Sequence, residues 1–171
     1  MGSHNLLLDI AIGLAAGFVA TKVTELVQEA SYGPMPRSVK RREEEVRPGP
    51  PPKIAARKSA EALGLELDER QAMRAAMAIH YGLGVTWGPV YSLLRRHSRM
   101  EPLGAGIVTG AAMSLVVDEA LAPALGFSAP SHDYPTLTHV RGFANHLVYG
   151  AVAALTAEAL YHLTDATPED L

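Results

Sequence analysis

The stretch that decides the fold is 75–94, AAMAIHYGLGVTWGPVYSLL, twenty consecutive residues without a formal charge. As a helix rising about 1.5 Å per residue, it is long enough to cross a hydrocarbon core about 30 Å thick. Outward from it, the 171-residue chain divides into four weakly charged segments: 6–29, 72–94, 102–126 and 140–163. Charge collects elsewhere, between Lys22 and Arg74, in Arg95-Arg96-His97-Ser98-Arg99 and at the acidic C-terminus. The apolar fraction of 48% is ordinary for a soluble protein, and the uneven charge is what sets this chain apart.

Glycine placement points the same way. Gly13 and Gly17, Gly84 and Gly88, and Gly106 and Gly110 each form a G-x-x-x-G pair on a separate apolar segment. A mid-helix glycine costs about 1 kcal/mol in water, whereas in lipid small residues let helix backbones approach and pack. The expected fold is all-α, a four-transmembrane-helix bundle forming one integral membrane domain over 1–171, oligomeric through its glycine faces. The first helix is expected to be retained. No lysine or arginine precedes it, Asp9 lies within it, and Ala15-Ala16-Gly17 falls in the middle of the apolar run.

Between the first two spans, Tyr32-Gly33-Pro34-Met35-Pro36 and VKRREEEVRPGPPPK (39–53) mix proline with charge. Residues 31–71 therefore read as an extramembrane loop over the membrane surface. Within it, KIAARKSAEAL (53–63) has the spacing of a short interfacial helix. Asp68 and Gln71 form a capping-box pattern that starts the second span. Pro102 starts the third, Pro123 is expected to kink its end, and GFSAPSHDYPTLTH (126–139) is a turn-rich connector. The basic turn at Arg95, Arg96 and Arg99 argues for cytoplasmic termini.

Composition excludes several classes. Fifteen basic against eighteen acidic residues give no general affinity for nucleic acid, and the absence of cysteine removes disulfides and thiolate chemistry. No phosphate loop, zinc-protease helix or nucleotide fingerprint occurs, so no enzymatic activity and no resident cofactor are expected. The partners expected are the lipid bilayer and a second copy or a membrane complex.

VDEALAPALGF (117–127) sets Asp118 and Glu119 side by side in an apolar segment. Helix one and helix three echo each other: GLAAGFVATKVTE places Glu25 eight positions after Gly17, and GIVTGAAMSLVVD places Asp118 eight after Gly110. His80 with Gly84 and His146 with Gly150 give a looser echo, suggesting a duplicated helical hairpin. Counting the rise from the helix ends puts Glu25, His80, Asp118 and His146 roughly 7–12 Å deep on one side of the membrane. A polar cluster of Glu25, His80, Asp118 or Glu119, and His146 is the candidate site. Asp118 is the member expected to face inward, with Glu119 turned toward a neighbouring helix or the interface.

Intramembrane ionisable groups are costly and face protein or water. Carboxylate–imidazole pairs can relay protons. Two histidines with carboxylates can ligate a divalent metal, and His80 opposite His146 can ligate a b-type haem. Helix–helix hydrogen bonding alone is the remaining reading. Ser131-His132-Asp133 cannot form a catalytic relay from consecutive positions, and the seven-residue spacing of His132, His139 and His146 is a weaker metal pattern.

From His80 onward, IHYGLGVTWGPVYSLL, PLGAGIVTGAAMSLVVDEALAPALGFSAP and ANHLVYGAVAALTAEAL resemble the YagU-like inner-membrane proteins. The first helix resembles them more loosely, through Gly13, Gly17, Lys22 and Glu25. The resemblance implies a small polytopic protein of the bacterial inner membrane, linked to acid resistance. The resulting functional expectation is a His/carboxylate cluster that senses or conducts protons or ions. A non-catalytic accessory subunit and a haem- or metal-binding membrane protein are the alternatives.

Overall fold

The computed structural model describes residues 6–164, which are helical with no strand among them. Three long helices, α1 (Leu6–Tyr32), α4 (Glu69–His97) and α7 (Thr136–Leu163), run the length of the molecule. A fourth is built from α5 (Pro102–Met113), a π-helical stretch Ser114–Leu121 and the short α6 (Ala122–Ala124). Among the described residues, two helices are long and apolar enough to cross a membrane: Leu6–Tyr32 and Pro102–Ala124. α4 and α7 carry polar side chains such as Arg74, His80, Asn145, His146 and Glu158 along their lengths.

Glycine sets the helix pairing. A methyl on Gly17 would lie 2.6 Å from the Val85 carbonyl oxygen, and one on Gly13 2.6 Å from Pro89 Cα, so α1 and α4 touch backbone to backbone. Gly106 and Gly110 press in the same way against Gly150 and the His146 carbonyl. As the α1 and α5 numbers rise, those of α4 and α7 fall, so each pair is antiparallel. α1 also packs along α7, joining the two pairs. All six G-x-x-x-G glycines thus meet partners within the chain.

The contacts also correct the register of the internal repeat. Gly88 sits over Gly13 and Gly17 as Gly150 sits over Gly106 and Gly110. Gly88, rather than Gly84, is therefore the structural counterpart of Gly150, and the two histidines are one helical turn out of step.

The interior is small and the exterior large. Ala16, Ala20, Ala105, Ala153, Ala154 and Ala157 are buried, while Phe18, Leu83, Val90, Ile107, Leu115 and Leu155 are exposed. Buried tyrosines 91, 149 and 161 supply most of the bulk in the two core clusters.

α4 begins as the sequence predicts. Asp68 accepts from the Gln71 amide at 2.8 Å, and Gln71 Oε1 accepts from the Asp68 amide at 2.9 Å. The segment expected as a loop forms two helices, α2 (Arg37–Val46) and α3 (Pro51–Ala62), the latter close to the short helix expected at 53–63. Prolines at the first turn of α3 are compatible with a helix start, because their missing N–H groups are not needed there. α3 packs on α4, and α2 reaches α7. Contrary to an exposed loop, α2 buries Glu43, whose side chain is 1% exposed.

Candidate functional site

The antiparallel pairing brings the C-terminal half of α1, the N-terminal halves of α4 and α7 and the π-helical stretch to one end of the bundle. There they surround a cavity of about 970 Å³. Glu25, His80, Asp118, Glu119 and His146, the five residues of the sequence-derived cluster, all line it. They do not form one bonded group. They stand as separate carboxylate–imidazole pairs around a shared space.

In the first pair, His80 Nε2 lies 3.0 Å from Glu25 Oε1. The Tyr81 hydroxyl is 2.7 and 2.8 Å from the two Glu25 oxygens, and Lys22 Nζ is 3.2 Å from Oε2. Lys22 and Tyr81 are also in contact, and the ammonium lies over the Tyr81 ring. Glu25 is thus the most fully partnered of the five.

In the second, His146 Nδ1 lies 2.9 Å from the Gly142 carbonyl oxygen and 3.5 Å from Asp118 Oδ2. Facing two oxygens, Nδ1 carries a proton, which it donates to the carbonyl. The Asp118 side chain keeps 46% of its surface exposed.

Glu119 makes a third pair that the sequence reading does not contain. Its Oε1 is 2.6 Å from His139 Nδ1, while His139 Nε2 is 2.9 Å from the Ser131 carbonyl oxygen. With an acceptor at each nitrogen, the ring meets both only as the imidazolium. The expectation that Glu119 turns away from Asp118 assumes α-helical geometry. A π-helix closes i→i+5 bonds, which widens the turn and narrows the angle between consecutive side chains, so both acids reach the cavity. The Ser131 hydroxyl donates to the Glu119 carbonyl oxygen at 3.3 Å.

Buried Glu43 closes the rim. It accepts from Thr138 Oγ1 at 3.1 Å and from Arg141 Nη2 at 3.2 and 3.3 Å, and it pairs with Arg47. At the inner end the Tyr149 hydroxyl donates to the Gly84 carbonyl at 2.5 Å, beside Met113 and Thr21. Thr24, on the wall, has a buried hydroxyl with no hydrogen-bond partner.

A second polar network lies at the opposite end of the bundle, away from the cavity. Arg95 Nε lies 3.0 Å from Glu158 Oε1, which also accepts from the Tyr91 hydroxyl at 2.7 Å. Arg96 Nη1 is 2.5 Å from Asp9 Oδ2, and the Tyr161 hydroxyl is 3.2 Å from Asp9 Oδ1. The sequence reading places Arg95 and Arg96 in a surface turn, yet Arg95 is buried. Tyr91 and Arg95, four apart on one helix face, were the available signal.

Among the described residues, no three histidine, aspartate or glutamate side chains group so as to hold a metal ion. His80 and His146, the candidates for a metal or haem, each engage a different carboxylate, and His132 pairs with its neighbour Asp133. Compared with known proteins, the chain matches no protein-family model, no curated protein and no solved structure.

Proposed function

We propose that this chain is a four-span protein of the bacterial inner membrane whose cavity senses protons or ions. The packing supports the membrane setting: glycine and alanine fill the helix contacts while many large aliphatic groups face outward, as they do where lipid tails solvate them, and the large buried tyrosines each have a polar partner. α4 and α7 then span as partners of the two apolar helices, their polar groups turned to the cavity or to the opposite network. The implied likeness to YagU-like proteins, with their link to acid resistance, fits this reading.

One observation carries the chemistry: three carboxylate–imidazole pairs on the wall of a single cavity. A proton taken up by His80 or His146 adds charge where a carboxylate stands ready to hold it, while the third pair already carries its charge on His139. Sensing is favoured over conduction. Past Tyr149 and Gly84 the helices close on alanine and tyrosine, with the Ala16, Tyr91, Ala105 and Ala154 cluster between the cavity and the Arg95–Glu158 network.

Trp87 packs against the Ala20, Met113, Tyr149 and Ala153 cluster, of which Met113 and Tyr149 line the cavity. In the full chain reconstituted in nanodiscs, its fluorescence should change between about pH 5 and 8. A His80→Ala, His146→Ala double variant should lose that change while keeping its helicity. The groups facing the two rings are Glu25, Tyr81 and Lys22 for His80, and Asp118 and the Gly142 carbonyl for His146. A flat pH response, or one unaltered in the double variant, refutes sensing. Steady proton flux into liposomes would favour conduction instead.

A further inference from the structure

We propose that the cavity binds a lipophilic organic cation, with the Asp118 carboxylate as its counter-ion and Thr24 Oγ1 as a second polar contact. The proposal rests on the membrane reading and concerns the same cavity, now as a site for a molecule rather than a proton.

Volume comes first. About 970 Å³ lies at the upper end of the range for small-molecule sites and far exceeds the needs of a bare ion. Charge selects the sign of the ligand. Six carboxylates line the cavity against two guanidinium groups, Arg47 and Arg141, and the His139 imidazolium. Both guanidiniums are bound to Glu43, His139 holds Glu119, and Lys22 at the margin faces Glu25, so each of these cations already holds a carboxylate. Asp118 is different. It faces His146 at 3.5 Å and lines the cavity with its side chain partly exposed.

The rest of the wall is apolar and aromatic, including Leu83, Val117, Leu121, Phe127 and Tyr134. Such a surface suits the greasy body of an amphiphile, and tyrosine and phenylalanine faces attract cations as well. An inorganic cation would need converging oxygens, and no such group occurs among the described residues.

Thr24 is an independent sign of a missing partner. Elsewhere in the bundle, threonine hydroxyls bond the carbonyl one turn back: Thr21 to Gly17 at 2.8 Å and Thr109 to Ala105 at 2.9 Å. Thr24 is 7% exposed and lines the cavity, and its hydroxyl bonds nothing. A buried unpaired hydroxyl is costly and calls for a partner.

The test uses the full chain in detergent micelles and equilibrium dialysis with two ions of matched shape, tetraphenylphosphonium and tetraphenylborate. Tetraphenylphosphonium should bind saturably at one per chain, and tetraphenylborate should only partition. Asp118→Asn should raise the dissociation constant for the cation by about tenfold or more. Thr24→Val, which keeps shape and loses the hydroxyl, should leave binding of tetraphenylphosphonium unchanged, since that ion has no hydrogen-bonding group, and should raise the dissociation constant of 4-phenylbutylammonium, whose N–H can donate to Thr24 Oγ1, by roughly threefold. Circular dichroism establishes that each variant is folded. If Asp118→Asn fails to fold, Leu121→Trp, which fills the cavity from its wall, should abolish saturable binding. Equal, unsaturable uptake of both ions, or wild-type affinity in Asp118→Asn, overturns the proposal. The Trp87 pH response is measured without either ion, so failure of cation binding and failure of proton sensing are told apart.

Discussion

Replacing Gly88 by alanine tests how the bundle is held together. A Cβ at this position would sit 2.8 Å from the Gly13 carbonyl carbon and 2.8 Å from the Gly17 nitrogen. Both are backbone atoms of α1, so no side-chain rotation relieves the clash. Carbon contacts normally lie at about 3.5–4.0 Å, so α1 and α4 must part by roughly 1 Å. Overpacking of this kind costs about 1–3 kcal/mol, and the better helix propensity of alanine offsets at most about 1 kcal/mol. Gly82 is on the same helix, and a Cβ there meets nothing within 4 Å. Gly82→Ala should therefore be neutral or stabilising by up to about 1 kcal/mol. Because the propensity gain is common to both, the two variants should differ by about 1–3 kcal/mol, roughly five- to 150-fold in the folding equilibrium. Reversible unfolding in mixed micelles, followed by Trp87 fluorescence next to the site, measures both. Equal stability of the two variants would refute the claim that close glycine packing joins α1 to α4.

Two further outcomes follow from the ion pairs. Arg95→Met leaves the half-buried Glu158 without its guanidinium and with only Tyr91 as a donor, which should cost about 2–3 kcal/mol, and adding Glu158→Leu should recover much of it. Unfolding of the single and double variants decides this, and a single variant as stable as the parent sinks it. Glu69 is exposed where α3 meets α4. Hydrogen bonding from Lys53, its positive charge, and Arg57 at 2.8 Å hold its carboxyl below the usual 4.5. A lowered value means that the clamp is intact at neutral pH and is lost only as pH falls through that value. Spin labels at Ser59→Cys and Met73→Cys, convenient in a chain without cysteine, should keep their separation down to about pH 4.5 and move apart below it. Separation that changes near pH 6 would exclude Glu69 as the group responsible.

Periodicity and composition carried the helical elements well. The Asp68 capping box, the start at Pro102 and the helix near 53–63 were all legible, because each rests on contacts within a few residues. The pairing of glycines into close contacts was half legible. Their G-x-x-x-G spacing marked them as packing positions, but whether they face a second copy or another helix of the same chain depends on the whole path of the chain. The repeat register was misread by one turn for the same reason, since His80 with Gly84 and Gly88 with Gly150 are indistinguishable until the helices touch.

For the site, the sequence by itself determined which groups are chemically out of place: Glu25, His80, Asp118, Glu119 and His146 stand in apolar runs. Helix rise alone set their common depth. Tertiary structure decided everything that depends on angle and on distant neighbours. It widened the helix at Ser114–Leu121 so that Asp118 and Glu119 share one cavity. It brought His139 to Glu119, and it folded a proline-rich charged run into α2, so that Glu43 is buried against Thr138 and Arg141. A buried charge is tolerable only when its partners converge on it. Arg47, one turn along, is the one local partner; Thr138 and Arg141 lie some ninety-five residues away along the chain, beyond any local pattern.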